Sequence, residues 1–338
     1  MKVEDFDYTL PEERIAFYPP KIRGSSKLLV LNKTTGVIKH RRYSDMLDYL
    51  TPGDVVVLND TKVIKARLIA KNEKGKNREL LLLEQHGHSF GVHTHKVLHR
   101  GKIHENEQLN IGDIKLRVKK LHGGGIATIT STANLLSISD RYGNVPLPPY
   151  INRGADRQDE QRYQTVFARQ PGSVAAPTAS LNFTEELAAK LKDKGIKVVY
   201  LTLHVGLGTF LPIRVDDVAK HKMHSEYFEI PKETVEAIQN AKKVTAIGTT
   251  VARTLEYCAD KILQQKAQDL SGEADIFIYG EYTFKIVDKL VTNFHAPRTT
   301  VLMLAAAFAG KDNLVGAYQA ALEKDYKFLS YGDSMLIL

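Results

Sequence analysis

Three short segments of this 338-residue chain place ionisable and glycine residues where proton transfer and anion binding need them. The first, His204-Val205-Gly206-Leu207-Gly208-Thr209-Phe210, follows the apolar run Ile196 to Leu203. An imidazole there can exchange a proton near neutral pH, and two glycines let backbone approach a ligand closely. The second, Gly248-Thr249-Thr250, follows Val244 to Ile247 and opens a helix that carries Arg253 and Glu256. Free N–H groups at a helix start suit a carboxylate or a phosphate. The third runs from Leu290 to Asn293 into His295, ahead of a helix from Thr299. Outside these, Lys222-Met223-His224-Ser225-Glu226-Tyr227-Phe228 sets Glu226 beside His224, a pairing suited to acid–base work if both face a cleft. A single strand-end histidine is ordinarily structural. The Gly-x-Gly after Leu203 lacks the third glycine of a dinucleotide fingerprint. Only the convergence of three such ends points to a site.

Convergence requires a particular scaffold. After the stiff joint Pro146-Leu147-Pro148-Pro149-Tyr150-Ile151, strand-like and helix-like segments alternate. Strands are expected at 196–203, 244–247, 275–279 and 290–293. Helices are expected from Phe183-Thr184-Glu185-Glu186 to Gly195, from Pro231 at a first helical position to about Lys242, from Thr250 to about Ala267, and from Thr299 to Ala309. The segment 222–228 reads as a connection. Such alternation implies a mainly parallel sheet with helices on both faces, and ligands in such sheets sit beyond the carboxyl ends of the strands. Leu28 to Leu31 and Val55 to Leu58 add strands from the amino-terminal side, the second apolar on both faces and therefore central. Between Lys65 and Thr130 short β-type runs recur with Gly, Asn and His between them, as in a small barrel. The expected architecture is a mainly parallel α/β/α domain built from residues 1–63 and 146–338, with a small β-barrel domain, 64–145, inserted.

Composition narrows the function. Apolar residues at 43% and charged residues at 25% describe an ordinary globular protein. The one cysteine, Cys258, excludes an internal disulfide, a thiolate zinc site and a three-cysteine iron–sulfur cluster. His93-Thr94-His95 has no carboxylate or thiolate cluster nearby, so no metal is expected. No apolar run approaches a membrane span, and the start, MKVEDFDYTL, is not a signal peptide. A cytoplasmic, soluble protein is expected, with a monomer favoured. The formal charge of +8 is uneven: 65–130 holds 13 basic and 6 acidic residues. That excess suggests a polyanionic partner for the barrel.

Several long, ordered blocks identify a family. They are Leu58-Asn59-Asp60-Thr61, Pro146 to Ile151, Arg162-Tyr163-Gln164-Thr165-Val166, Val174-Ala175-Ala176-Pro177-Thr178-Ala179, Leu203-His204-Val205-Gly206, Lys222 to Tyr227, Thr292-Asn293-Phe294-His295 and Ser330-Tyr331-Gly332-Asp333. Together they resemble the S-adenosylmethionine:tRNA ribosyltransferase-isomerases of bacterial queuosine synthesis over essentially the whole chain. The resemblance implies transfer of the ribosyl part of S-adenosylmethionine to the 7-aminomethyl-7-deazaguanine wobble base of tRNA. The product is epoxyqueuosine, with adenine and methionine released. It implies S-adenosylmethionine as co-substrate and tRNA as partner. The chemistry then asks for His204, His224, Glu226 or His295 as base or acid. Gly206, Gly208, Gly248, Thr249, Thr250 and Arg253 would hold the nucleoside or its anionic group, and Asn59 and Asp60 would meet hydroxyl or base. Two departures stand out. Ser180-Leu181-Asn182-Phe183 replaces the family's Gly-Leu-His-Phe, and Val251-Ala252 precedes Arg253 where the family has Ser-Val. They leave a second reading: a divergent paralogue that keeps tRNA or nucleotide binding with lost or altered catalysis.

Overall fold

The computed structural model describes residues 1–89, 92–206, 213 and 215–338, and the chain divides into two compact units. Unit 1 contains Met1–Thr61, Gln164–Gln170 and Ala176–Leu338. Unit 2 contains Lys62–Tyr163 and Pro171–Ala175.

Unit 1 is organised by a nine-stranded sheet. In chain order its strands are β1 (Lys27–Leu31), β2 (Ile38–Arg42), β3 (Val55–Asn59), β4 (Lys197–Leu203), β5 (Glu226–Ile230), β6 (Val244–Ile247), β7 (Leu270–Ala274), β8 (Lys289–Asn293) and β9 (Ser334–Ile337). In space they run β7-β5-β4-β3-β6-β8-β9-β1-β2. The four central strands, β4, β3, β6 and β8, are mutually parallel. Antiparallel strands flank them: β5 beside β4, β7 beside β5, and β9 beside β8. All five residues of β3 are buried, as a strand covered on both faces requires.

One face packs Val56 and Leu58 of β3, Ile247, Val291 and Leu336 against Leu187 and Leu191 of the helix Glu185–Asp193 and against Tyr43, Met46 and Leu50. Thr184 caps that helix, accepting a bond from Leu187 N (3.1 Å). Burying each aliphatic side chain contributes about 1.5–3 kcal/mol, so this layer holds the strand ends in register. The helix Thr249–Tyr257 touches β3, β4, β6 and β8.

Three segments differ from the sequence expectation. The strand expected at 275–279 lies earlier, at β7, where Ser271, Gly272 and Glu273 hid it. Ile276 and Phe277 are half-exposed instead of sheet-bound. The segment 222–228, expected as a connection, starts β5 at Glu226; its alternating burial opens on a charged residue, which disguised the period. The helix expected over 250–267 is broken at Cys258 into Thr249–Tyr257 and Ala259–Gln264, and Pro231 is the cap before Lys232–Gln239.

Unit 2 contains a closed antiparallel barrel of six strands: Arg67–Asn72, Asn77–Ser89, Val92–Arg100, Gln108–Ile111, Ile114–Gly123 and Ile126–Ser131. Leu68, Ala70, Val97, Leu116, Val118, Ala127 and Ile129 fill it. Lys115, Arg117 and Lys119 alternate with them and face outward. Short helices Leu135–Tyr142 and Arg157–Arg162 follow.

Gly332 tests the packing of the loop before β9. A Cβ there would overlap Lys327 O and come within 2.6 Å of the Phe328 carbonyl carbon. Backbone cannot yield as a flexible side chain does, so Gly332→Ala is expected to destabilise unit 1 by about 1–3 kcal/mol or more in denaturant unfolding.

Candidate active site

Because β4, β3, β6 and β8 are parallel neighbours, their carboxyl ends lie along one edge of the sheet. His204 follows β4, Asp60 follows β3, Gly248 follows β6 and His295 follows β8. Antiparallel β5 begins at that same edge with Glu226. The three strand ends singled out by the sequence therefore do converge.

The edge is anchored by a buried ion pair. Glu226 Oε2 meets Arg253 Nη2, and Glu226 Oε1 accepts the Gly206 amide at 2.8 Å. Both side chains are more than nine-tenths buried. Arg253 stands one turn into the helix Thr249–Tyr257, which Gly248 admits by taking φ +105°, a conformation that favours glycine. Burial pushes the Arg253 guanidinium down to about 10, so it remains a cation at neutral pH, and Asp275 nearby favours its charge. Glu226 is thus the partner of Arg253, and not of His224 as the sequence suggested.

Around this pair lies a narrow cleft. Arg253, Glu226, Thr249, Thr250 and His224 line it, together with residues assigned no site role from the sequence: His221, Met223, Ile276, Phe277, Ile278 and the first turns of the helix Thr300–Ala309. His221 meets Phe277 edge-on at 5.3 Å, and Phe277 packs on Tyr279 at 4.7 Å. Cation and helix start at one end, apolar and aromatic surface around them, match an amphipathic ligand with a small anionic group. The sequence signal for the apolar wall was present at 276–278, but it looked like a strand.

Of the remaining candidates, Asn59, Asp60, Gly206 and His204 lie along the edge of the sheet. Asn59 is committed to backbone: its Nδ2 donates to Leu203 O (2.9 Å), and its Oδ1 accepts from Leu203 N (3.0 Å) and Thr61 N (3.1 Å). Asp60 accepts from the Thr202 hydroxyl (2.6 Å) and pairs with Arg169 (3.1 Å). Both brace strand ends, where the sequence assigned them ligand contacts. Gly206 supplies the amide to Glu226; Gly208 lies outside the described residues. Glu256, on the same helix as Arg253, accepts the backbone amides of Lys285, Ile286 and Val287 and pins that loop. His224 is exposed at the rim. His204 Nδ1 bonds the Thr61 hydroxyl (2.8 Å), its ring stacks on Tyr227, and burial lowers its proton affinity.

The first departure from the family pattern, at Ser180 and Asn182, is also placed. Ser180 ends a 3-10 turn, Thr178–Ser180, and has no positive φ, so its Cβ introduces no backbone strain. Asn182 is buried; its Oδ1 accepts the Ser26 hydroxyl (2.7 Å) and its Nδ2 donates to Gly332 O (3.3 Å). It ties the start of β1 to the loop before β9.

His295 gives a pH test. Part of the residue reaches the surface, and desolvation by the protein around it pushes the imidazole down from 6.5 to about 3. Its Nε2 lies 2.7 Å from the Thr292 hydroxyl. The unfolded chain protonates this group below about pH 6.5 and the folded chain does not, so stability is present above that value and lost as pH falls toward 3. Between pH 6.5 and 5 the wild type should lose up to about 2 kcal/mol more than His295→Gln, at about 1.4 kcal/mol per pH unit. Paired denaturant titrations measure the difference; parallel pH profiles would refute it.

Comparison with known proteins agrees with the resemblance seen in the sequence. A model of the family described as Queuosine biosynthesis protein matches residues 3–337. A relative from Chlorobaculum parvum, named S-adenosylmethionine:tRNA ribosyltransferase-isomerase, is 54% identical over 343 residues, covering 100% of each chain. One of the same name from Sulfurihydrogenibium sp. is 48% identical over 345 residues, again covering 100% of each. A crystal structure of an S-adenosylmethionine tRNA ribosyltransferase from Thermotoga maritima is 36% identical, with a TM-score of 0.57 over 99% of this chain and 100% of that one. The chain belongs to the queuosine biosynthesis family, that of the S-adenosylmethionine:tRNA ribosyltransferase-isomerases.

Proposed function

We propose that this protein transfers and isomerises the ribosyl moiety of S-adenosylmethionine onto the 7-aminomethyl-7-deazaguanine wobble base of tRNA. The products are epoxyqueuosine-tRNA, adenine and methionine. The full-length family match, from residue 3 to residue 337, carries this reading. The strand-end cleft supports it chemically.

The substrate sulfonium acidifies the ribose C5′ protons beside it, so a base takes one of them. Adenine must gain a proton as it departs. Arg253, held by Glu226, with the first-turn amides after Gly248, grips the methionine carboxylate. Met223, Ile276, Phe277 and Ile278 receive the apolar part. Phe277 and His221 offer a face for the adenine. His204 and His224 carry the protons: His204 is kept neutral by burial and oriented by Thr61, and His224 stands at the rim. His295, half-buried and bonded to Thr292, positions the β8 end and stays uncharged. The outward-facing Lys115, Arg117 and Lys119 of the barrel hold the polyanionic tRNA. No described helix is long and apolar enough to cross a membrane, and the assignment to the cytoplasm rests on the tRNA substrate alone.

Incubation with S-adenosylmethionine and tRNA carrying the 7-aminomethyl base should release adenine. His204→Ala should lower kcat by roughly 10²–10⁴-fold, the usual weight of a general acid or base. Arg253→Lys should raise KM for S-adenosylmethionine by about tenfold or more, since lysine cannot span Glu226 and a carboxylate together. A purified, folded protein that binds tRNA but releases no adenine would refute the reading.

A further inference from the structure

Beside the strand-end edge, unit 1 carries a second concave surface that the cleft does not use. It is an open hollow of about 570 Å³ formed by Lys27, His40, Arg41, Arg42, Lys324 and Tyr326, with Asp45 its one acidic member. Three separate elements supply the basic groups: β1, the edge strand β2, and the carboxyl end of the helix Lys311–Glu323. Edge strands often carry charge against unwanted pairing, which accounts for Lys39 to Arg42 alone. It does not account for Lys27 and Lys324 converging on the same hollow.

The charges are only partly neutralised locally, by Asp325 and Asp333, which act on Lys27. Among the described residues Arg41, Arg42 and Lys324 make no ion pair. Lys27 Nζ donates only to carbonyls, Lys324 O (2.7 Å) and Asp325 O (3.1 Å). Asp45 is engaged with the Arg42 amide (3.0 Å) and the Ser44 hydroxyl (3.3 Å). His40, bonded to the Tyr326 hydroxyl (2.9 Å), has its proton affinity lowered by burial and then by Lys324 and Lys27, which reports a positive field in the hollow.

The hollow also sits in line with the cleft. Lys27 pairs with Arg42 across β1 and β2, and the Lys27 amide donates to Asp333 at the start of β9 (2.7 Å). That start faces Asn293, the end of β8. Three strand spacings of about 4.8 Å separate β8 from β2, so Arg42 lies roughly 15 Å along the edge from the segment leading to His295. A base entering the cleft brings flanking backbone along that edge.

We propose that this hollow is a phosphate-binding surface for the tRNA backbone next to the modified base. The proposal rests on the reading of the protein as a tRNA-modifying enzyme, but its test needs no turnover. A fluorescein-labelled, unmodified anticodon stem-loop is titrated with wild-type protein and with the Arg41→Gln/Arg42→Gln/Lys324→Gln variant, at several salt concentrations. The variant should bind at least about fivefold more weakly, and its log–log salt slope should fall by about 1–2, at roughly 0.7–0.9 per lost phosphate contact. Its melting temperature and its affinity for S-adenosylmethionine should match wild type, which separates lost contacts from lost fold. Equal affinity and equal slope in the two proteins would overturn the proposal and leave the hollow to an acidic protein partner. Weakened stem-loop binding by the variant, beside a wild type that releases no adenine, would uphold this surface while refuting the reaction.

Discussion

One buried carboxylate sets the geometry of the cleft. Glu226 joins three stretches of chain: the first residue of β5, the backbone just beyond β4, and the helix after β6. Taking two charges out of water costs several kcal/mol per ion, which an ion pair offsets only when its geometry is good and its remaining valences are met. The Gly206 amide meets one of them. Removing Glu226 would leave a buried guanidinium without that partner, a far larger loss than removing both groups together. The arrangement therefore fixes which way Arg253 points before any ligand arrives, and a preorganised cation loses little on binding.

The rest of the edge shows how many chemistry-bearing residues are used for architecture. Asn59, Asp60, Asn182 and Asp333 are polar, buried and near strand ends at this edge. Each is bonded to backbone amides, carbonyls or hydroxyls of the protein itself. Four parallel strands ending together leave several amides and carbonyls without sheet partners, and an unpaired buried polar group costs about 1–3 kcal/mol. Short polar side chains at strand ends are the economical way to satisfy them. Their presence in ordered motifs does not by itself mark contact with substrate.

The convergence of three ends could be read from the sequence because periodicity and glycine placement are local signals. Ile196 to Leu203, Val244 to Ile247 and Leu290 to Asn293 announced themselves as apolar runs leading into Gly or His. The barrel too was legible, from short alternating runs between 65 and 130. The partnership of Glu226 was not, because a carboxylate's nearest sequence neighbour, His224, is a poor guide to its nearest neighbour in space. The apolar wall at 276–278 misled for a related reason: three apolar residues satisfy a strand pattern equally well whether they face a sheet or a cleft. Asp60 and Arg169 lie more than one hundred positions apart, and no spacing rule reaches across that distance.

The placement of β9 has a consequence for biosynthesis. This strand follows β1 by about three hundred residues, yet it lies between β8 and β1 and, among the described residues, is the only strand pairing β1 to the remainder of the sheet. On the ribosome, the β1–β2 hairpin waits for about three hundred further residues before it gains that neighbour. At roughly 5–20 residues per second, that delay is on the order of 15–60 s. During it Leu28 to Leu31 lack β9 beside them, so nascent chains stalled before β9 should be the form of this protein most dependent on chaperones.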